Sequence, residues 1–463
     1  MKKDSPTNAA LFRVMLGLAL PVLAEELLNL CVGFTDRFLA GWFLPGPEPQ
    51  AAMGLAAYVL WLIPTMFSAI GIGATALVAR EIGGERFADA RRTLGQALYA
   101  GTILAIFVTA AVYLGGPTFV RWMNLEGESG RLAEVFLAWL APVVPIIMLE
   151  QIGTACLRGA GDTVTGLVAR IAVNVVNIVV SILLVSGVGP FPQLGFQGLA
   201  IGAACGHGTG GLVILAALLR GRKHLRLESA AWRFDGPLLA RLLRVGLPGG
   251  IDLFSLVTCH LFYLRIITGL GDLATAAHGI GLQIEALSYL SGCAFQVAAA
   301  TMAGQALGAG DADRARRSVL LAVGAALVPM LSAALLFYFA GESVAALFTG
   351  THVDETSRLA GRLLKIVALG GPPMAVLIVL SGALRGAGDT RWNLVITFIG
   401  LIGVRLPLAA ILAWSSFTLF GQTFPGAGWG VAGAWTAMVA DVTVRALLTA
   451  GRFFHGGWIH VKV

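Results

Sequence analysis

Polar side chains recur at helical spacing within long apolar stretches of this sequence, and the first such stripe carries two carboxylates. Glu25, Asn29 and Asp36 are separated by 4 and 7 residues, which places all three on one side of an α-helix. A carboxylate at the centre of a membrane helix costs roughly 2.5–3.5 kcal/mol on insertion scales, so it should face a cavity or a partner. Reversible binding of a small cation is the chemistry such a carboxylate can do.

A second stripe follows further along the chain at steps of 4, 3 and 4. Its members are Arg170, Asn174, Asn177 and Ser181. The two stripes could face each other within one helical bundle. We therefore predict that Asp36 binds and releases a cation, with the amides and hydroxyl of the second stripe as hydrogen-bonding neighbours and Glu25 as a second acid on the same helix.

The competing interpretation of Asp36 is a permanent ion pair with a nearby arginine. Arg37 is adjacent in sequence, so it lies about 100° around the helix and makes a poor partner. Arg170 stays open as a partner at this point. Near the end of the chain, Asp441 and Arg445 are four residues apart and predict an internal ion pair.

A third stripe carries mixed chemistry: His278, Glu285, Tyr289 and Gln296 follow steps of 7, 4 and 7. With Asp252, Glu285 could supply negative charge to a cavity between two halves of the protein, where a cationic substrate would bind beside Tyr289 and His278. Interhelical hydrogen bonds within one bundle are an equally good interpretation of the stripe. His278 taken alone is typical of a satisfied core residue.

The elements that must position these residues are membrane helices. Hydrophobic residues make up 57% of the 463 residues and charged residues 12%, and most apolar blocks exceed the roughly 20 residues that span a bilayer. The chain is predicted to be an all-α integral membrane protein of twelve transmembrane helices. Their predicted bounds are 10–42, 51–82, 93–115, 131–158, 163–187, 195–220, 236–268, 273–308, 317–340, 357–386, 391–418 and 427–452.

Basic residues predict the orientation, because connections rich in lysine and arginine stay cytoplasmic. Clusters of basic residues follow helices 2, 6 and 8: Arg80, Arg86, Arg91 and Arg92; Arg220, Arg222, Lys223 and Arg226; Arg314, Arg316 and Arg317. The loops at 43–52, 187–197 and 415–428 contain neither residue type. We expect a multi-pass protein of the cell inner (plasma) membrane with both termini cytoplasmic, and its net charge of +7 to reflect contact with anionic lipid rather than nucleic acid.

An internal repeat predicts how the helices are grouped. The heptapeptide Leu157–Thr163 (LRGAGDT) recurs unchanged as Leu384–Thr390, and Leu20-Pro21 recurs as Leu247-Pro248 at the same offset. These matches predict a duplicated six-helix unit, with both copies inserted in the same orientation because six is even. The predicted domains are an N-terminal bundle, 1–221, a cytoplasmic linker, 222–234, and a pseudo-symmetric C-terminal bundle, 235–463.

The heptapeptide itself favours a structural role. Gly159 and Gly161 permit a tight turn, and Asp162 can cap the following helix. Arg158 is expected to complement a helix C-terminus or a lipid phosphate. The five cysteines lie inside apolar blocks without metal-ligand spacing and are expected to be packing residues.

Over nearly its whole length the chain resembles the multidrug and toxic compound extrusion (MATE) transporters. The resemblance rests on the stretch Pro21–Gly41 with its membrane aspartate Asp36, on the paired LRGAGDT sequences, and on Ala300–Asp311 (ATMAGQALGAGD). It implies the two-bundle MATE-like fold and an antiporter that works by alternating access. Such a protein exports cationic or amphipathic organic compounds while protons or sodium enter.

Within that family the chain is more similar to the DinF-like branch than to the NorM-like one. NorM-like members carry acids where this chain has Leu256 and Met374, and archaeal-type members carry an aspartate where it has Ser181. Proton coupling is therefore favoured over sodium coupling. We expect no further cofactor, no structural metal, small organic substrates and a monomer in the bilayer.

Three other functional classes compete with an antiporter. The sequence contains no nucleotide-binding P-loop, no HExxH motif and no soluble domain, which argues against an enzyme. The long closed helices argue against a channel. The remaining alternative is a flippase for a lipid-linked or other polar lipid substrate of the same superfamily. Such proteins are expected to place basic residues in the cavity, and Arg265 and Arg405 lie at membrane depth.

Overall fold

The computed structural model describes residues 6–228, 233–350, 354–419, 422–461 and 463. Within these ranges twelve helices are long and apolar enough to cross a membrane. Their bounds are α1 Asn8–Phe43, α2 Glu48–Gly83, α3 Phe87–Trp122, α4 Gly127–Ala160, α5 Val164–Ser186, α6 Phe196–Arg220, α7 Gly236–Thr268, α8 Asp272–Gly308, α9 Ala312–Thr349, α10 Glu355–Gly386, α11 Thr390–Ala413 and α12 Gly430–His455. The predicted count and class of element are confirmed.

The clearest difference from the predicted helices lies after α11. The prediction of helix as far as 418 is wrong, because α11 ends at Ala413 and a hairpin follows, with strand β1 Ser416–Leu419 antiparallel to strand β2 Gln422–Pro425. Phe417 and Phe424 are directly opposed and their rings stack at 5.7 Å. Apolar content alone does not distinguish such a short aromatic strand from the last turn of a membrane helix.

Two helices depart from regular α geometry. A short 3-10 turn, Ala141–Val143, interrupts α4, and residues Ile399–Arg405 of α11 form a π-helical segment. Side chains on the outer surface are strongly apolar, as shown by Phe339 of α9, which is 78% exposed, and Leu347, which is 81% exposed. Exposed side chains of this kind are expected where lipid, not water, surrounds a helix.

The chain divides into two compact units, Gly17–Gly250 and Met1–Leu16 with Ile251–Val463. The divisions fall inside α1 and α7 instead of at the linker between the sequence repeats. In α7 the reason is close packing on α2: Gly246 and Gly73 lie so close to the partner backbone that a Cβ on either would clash with it. The boundaries 1–221, 222–234 and 235–463 follow the sequence repeat. As domain boundaries they remain a prediction.

The repeated heptapeptide forms the same turn in both units. Gly161 and Gly388 have φ values of 86° and 84°. In each turn the backbone N–H of the following aspartate donates to a carbonyl oxygen in the last turn of the preceding helix: Asp162 to Leu157 and Asp389 to Leu384, both at 2.8 Å. This is the left-handed helix ending that favours glycine. Asp162 also caps α5, since its carboxylate accepts the backbone N–H of Thr165 at 3.0 Å.

A stripe of glycines on α6 brings that helix against the polar face of α5. The stripe repeats every four residues: Gly198, Gly202, Gly206 and Gly210. A Cβ on Gly206 would lie 2.8 Å from the Val173 carbonyl oxygen and 3.1 Å from Asn177 Cβ. Small residues at this spacing let membrane helices approach closely, so the stripe seals the polar side chains of α5 inside the unit.

Gly206→Ala is therefore expected to lower thermal stability, because the added methyl group overpacks a site with no room and overpacking costs about 1–3 kcal/mol. Gly208→Ala on the same helix is the matched control, since nothing lies within 4 Å of its Cβ position. Thermal melting of both purified variants in detergent checks this. Equal melting temperatures for the two variants would contradict the packing described.

Candidate ion-coupling site

Asp36 is the most deeply buried acid on α1. It is 1% exposed, and its Oδ1 has no hydrogen-bond partner among the described residues. The Asn177 amide of α5 is positioned to hydrogen-bond its carboxylate, and the His207 imidazole of α6 is within electrostatic reach. Asn177 Oδ1 in turn accepts the hydroxyl of Ser181 at 3.3 Å. The structure thus brings the two sequence stripes together around this carboxylate.

The polar stripe of α5 is buried along its whole length. The side-chain amide of Asn174 donates to the Arg170 carbonyl oxygen at 2.8 Å, and its own Oδ1 has no partner among the described residues. The hydrogen bond of the Asn174 side chain is therefore made within its own helix and not to Asp36. Asn177 and Ser181 are the members of the stripe that lie beside the carboxylate.

Arg170 binds a different acid from Asp36. Its Nη2 atom lies 3.1 Å from Oε1 of Glu150, a buried residue of α4. Arg37, the other candidate partner, is exposed. Asp36 is therefore a buried carboxylate that no arginine or lysine pairs with in the described part of the chain.

Glu150 and His207 were missed by the sequence interpretation. Glu150 Oε2 lies 2.9 Å from Nδ1 of His207, so Arg170, Glu150 and His207 form a continuous polar cluster across α5, α4 and α6. The signal was available, because an ionisable residue alone in an apolar segment marks a candidate functional site. Neither residue belongs to a stripe at helical spacing, and the pairing connects helices 57 residues apart in sequence.

Glu25 is held by the repeated heptapeptide. Its Oε2 atom lies 2.7 Å from Nη2 of Arg158, and Asp252 makes the same 2.7 Å contact with Arg385 in the second unit. Asp252 follows Glu25 in sequence at the same offset at which Arg385 follows Arg158. The expectation that Arg158 complements a helix end or a lipid phosphate is thus corrected: its guanidinium neutralises an acid of the first helix of its unit.

The same heptapeptide also contacts α1 next to its internal proline, Pro21. Pro21 has no N–H and leaves the carbonyl of Gly17, one turn earlier, without its helical partner. The Thr163 hydroxyl donates to that carbonyl oxygen at 3.4 Å. Arg158 therefore binds α1 one turn after the proline and Thr163 binds it one turn before, which leaves Glu25 less free to carry a cation than the sequence predicted.

In the C-terminal unit, Asp441 is the centre of a buried charge cluster. Its carboxylate accepts Nη2 of Arg445 at 2.6 Å and Nη2 of Arg405 at 2.8 Å. The predicted Asp441–Arg445 pair is present, and Arg405, from the π-helical segment of α11, is an additional partner. All three side chains are at most 8% exposed. Arg405, one of the two arginines at membrane depth that favoured a flippase, thus shares a single carboxylate with Arg445.

Glu285 of α8 lies near this cluster. It is 7% exposed, and its Oε2 has no hydrogen-bond partner among the described residues. It lines a cavity of about 10 Å³ together with Ser288, Phe337 and Met374. A cavity of that size holds about one water molecule, so the space around Glu285 within this unit is too small for an organic substrate.

The other members of the helix 8 stripe lie in different surroundings. His278 is a core residue whose Nδ1 accepts the indole N–H of Trp435 at 3.2 Å, and its ring packs edge-on against Trp435 and near Tyr263. Tyr289 is 41% exposed. The hydrogen-bonded core interpretation therefore describes His278, while a substrate-binding role for Tyr289, Glu285 and Asp252 stays a prediction.

Comparison with known proteins decides the family. The MatE family profile matches residues 21–183 and again 248–411. The chain belongs to the MatE family. The second match begins after the first at the offset that separates the two copies of the heptapeptide. The duplication inferred from short motifs thus extends over the first five helices of each half.

Curated relatives and solved structures agree with this assignment. The chain is 26% identical over 445 residues to a probable multidrug resistance protein NorM of Thermotoga maritima, covering 96% of this chain and 92% of the relative. It is 25% identical to the multidrug resistance protein MdtK of Yersinia enterocolitica, covering 95% and 94%. A crystal structure of a MATE transporter in the bent conformation superimposes with a TM-score of 0.86 at 20% identity, covering 98% of this chain and 99% of that one.

A second structural neighbour has the same fold with a differently charged pocket. A MOP superfamily transporter from Pyrococcus furiosus, described as having a binding pocket of reverse polarity, matches with a TM-score of 0.84 at 20% identity and covers 99% of this chain and all of that one. Likeness at this identity shows the fold alone. The MatE family protein described here is a multi-pass membrane transporter and not an enzyme, and its placement in the DinF-like branch stays a prediction.

Proposed function

We propose that this MatE family protein is a multidrug efflux antiporter that exports cationic or amphipathic organic compounds in exchange for inward protons, by alternating access. The observation that supports it most directly is Asp36, a buried carboxylate beside Asn177 and Ser181 that lacks a pairing arginine in the described ranges. A group in that position can gain and lose a proton, because neutralisation removes the cost of a buried charge.

Protons are favoured over sodium by the hydrogen bonds around Asp36. The Ser181 hydroxyl donates to Asn177 Oδ1, so that oxygen faces Ser181 and not the carboxylate. The amide then presents its N–H₂ group to the Asp36 carboxylate. A hydrogen-bond donor stabilises a carboxylate but repels a metal cation, and hard cations require several oxygen ligands. The coupling step we propose is protonation and deprotonation of Asp36 as access alternates between the two sides.

The balance of buried charge supports a cationic substrate. Among the nine buried acids of the described residues, six are ion-paired with arginines, whereas Asp36 and Glu285 are in no ion pair. Each of the three buried arginines contacts an acid: Arg170 pairs with Glu150, and Arg405 and Arg445 share Asp441. Arg265, the other basic residue that favoured a lipid-pyrophosphate flippase, is exposed. Because an anionic headgroup needs unpaired positive charge, the flippase is the second candidate and not the first. We further propose a monomer in the inner membrane, with both termini cytoplasmic.

Transport into proteoliposomes tests the proposal. A panel of organic cations is offered to vesicles under an imposed proton gradient and, separately, under an imposed sodium gradient. We expect uptake of at least one cation driven by protons and none by sodium alone. Uptake that follows only the sodium gradient, or binding of a polyprenyl pyrophosphate with no response to any cation, would overturn it.

A further inference from the structure

His207 is a partly buried histidine held against a buried acid, and the coupling step above does not use it. Its side chain is 13% exposed, and its Nδ1 lies 2.9 Å from Oε2 of Glu150. It lies on α6, outside the regions 21–183 and 248–411 that match the family profile.

The contacts of Glu150 fix which nitrogen of His207 can change its charge. Glu150 Oε1 lies 3.1 Å from the Arg170 guanidinium, which keeps the carboxylate ionised, and an ionised carboxylate can only accept hydrogen bonds. His207 Nδ1 must then carry the hydrogen that lies between the two residues. Gain or loss of a proton at His207 therefore takes place at Nε2, without breaking the bond to Glu150.

Three charged groups surround the imidazole: Glu150 of α4, Arg170 of α5 and Asp36 of α1. Glu150 contacts the imidazole directly, and Arg170 lies on the other side of Glu150. Arg170 and Glu150 neutralise each other. The charge of a protonated His207 is therefore balanced by Asp36 when that carboxylate is ionised. The cluster is neutral with one proton shared between Asp36 and His207, and it carries +1 when both are protonated.

We propose that His207 is a second proton-binding residue of the transport cycle, so that two protons enter for each cation exported. The inference rests on the proposed proton antiport and deepens it by assigning the stoichiometry. One proton is bound by the Asp36 carboxylate and the other by His207 Nε2, and both are released on the opposite side. Two positive charges move inward while a monovalent cation moves outward, so each cycle carries one net charge.

This stoichiometry has a measurable electrical consequence. Exchange of one proton for one monovalent cation is electroneutral and takes no energy from the membrane potential. A cycle that moves one net charge can hold about a 50-fold substrate gradient at about 100 mV with no pH gradient. The response to membrane potential therefore distinguishes a cycle that moves one proton from a cycle that moves two.

The test uses the full chain in proteoliposomes with radiolabelled tetraethylammonium, a membrane-impermeant monovalent cation. A potassium diffusion potential is applied at equal pH on both sides, and a pH gradient is applied separately at zero potential. We expect wild-type protein to respond to both. His207→Gln should lose the response to potential while it keeps exchange driven by the pH gradient.

His224→Gln is the matched control, since His224 is an exposed histidine of the loop after α6, and it should behave as wild type. A merely structural role for His207 would lower both responses together, and that outcome overturns the proposal. So does a wild-type protein that exchanges tetraethylammonium for protons with no response to potential, which leaves the proposed antiport standing. Absence of exchange under any proton gradient would overturn both.

A second measurement does not depend on the variant folding. Proton influx into vesicles containing wild-type protein is measured with an entrapped pH indicator, in parallel with tetraethylammonium efflux. We expect a ratio near two. A ratio of one contradicts the proposal directly.

Discussion

Asp36→Asn is expected to abolish exchange of organic cations for protons. Asparagine has nearly the same shape and can still bond to Asn177, but it cannot bind and release a proton. The carboxylate is buried, and the neighbouring carboxylate of Glu150 is bound to Arg170 and is not free to replace it. Cation-driven proton movement in proteoliposomes measures the loss.

Binding provides a second measurement for the same variant. Dye binding to wild-type protein should weaken as the pH falls, since proton binding opposes substrate binding. Binding to Asp36→Asn should change less with pH, because one of the two proposed proton-binding residues is lost. Glu26→Gln is the matched control, a partly exposed acid on the same helix, and it should retain both properties. Full transport by Asp36→Asn would defeat the assignment of Asp36.

Asp441→Asn is expected to have the largest effect on stability. The carboxylate accepts hydrogen bonds from both Arg405 and Arg445, so its neutralisation leaves two guanidinium groups buried without a counter-charge. Removal of one partner from a buried ion pair costs about 3–5 kcal/mol. At about 2–4 °C per kcal/mol for a unit of this size, the melting temperature should fall by about 10 °C.

Two comparisons identify the cause of that loss. Asp313→Asn changes an exposed acid in the first turn of α9 and should leave the melting temperature unchanged. The triple variant Asp441→Leu, Arg405→Met and Arg445→Met removes the charges altogether and should recover much of the stability, because well-packed apolar residues can replace a buried ion cluster. An Asp441→Asn protein with the same melting temperature as the wild type would show that the cluster is not needed for stability.

The sequence is most informative where the signal is local or repeated. Apolar block length predicts all twelve helices, and the spacing of Gly159 to Asp162 predicts a turn and a cap that the structure contains. The steps along α5 predict a buried polar face. Each of these follows from neighbours in sequence, for which helical geometry fixes the relation.

The partners of charged residues are less predictable. Arg158 contacts Glu25 across 133 residues, and no local pattern says which of several acids an arginine will reach. Glu150 and His207 have no stripe of their own, so helical spacing could not find them. The close approach of α5 and α6 that seals the site depends on glycines such as Gly206, whose role is visible only once the backbone opposite is in place.

The matched pairs Glu25–Arg158 and Asp252–Arg385 also bear on the history of the chain. Because both halves carry the pair at equivalent positions, the simplest ancestry places it in a single six-helix unit before duplication. Asp36 and Glu150 have no such counterparts, since the equivalent positions of the second half hold Tyr263 and Leu377. The ion pairs are thus common to both halves, while the ionisable cluster distinguishes the first half from the second. This difference is expected if the two halves diverged in function after the duplication.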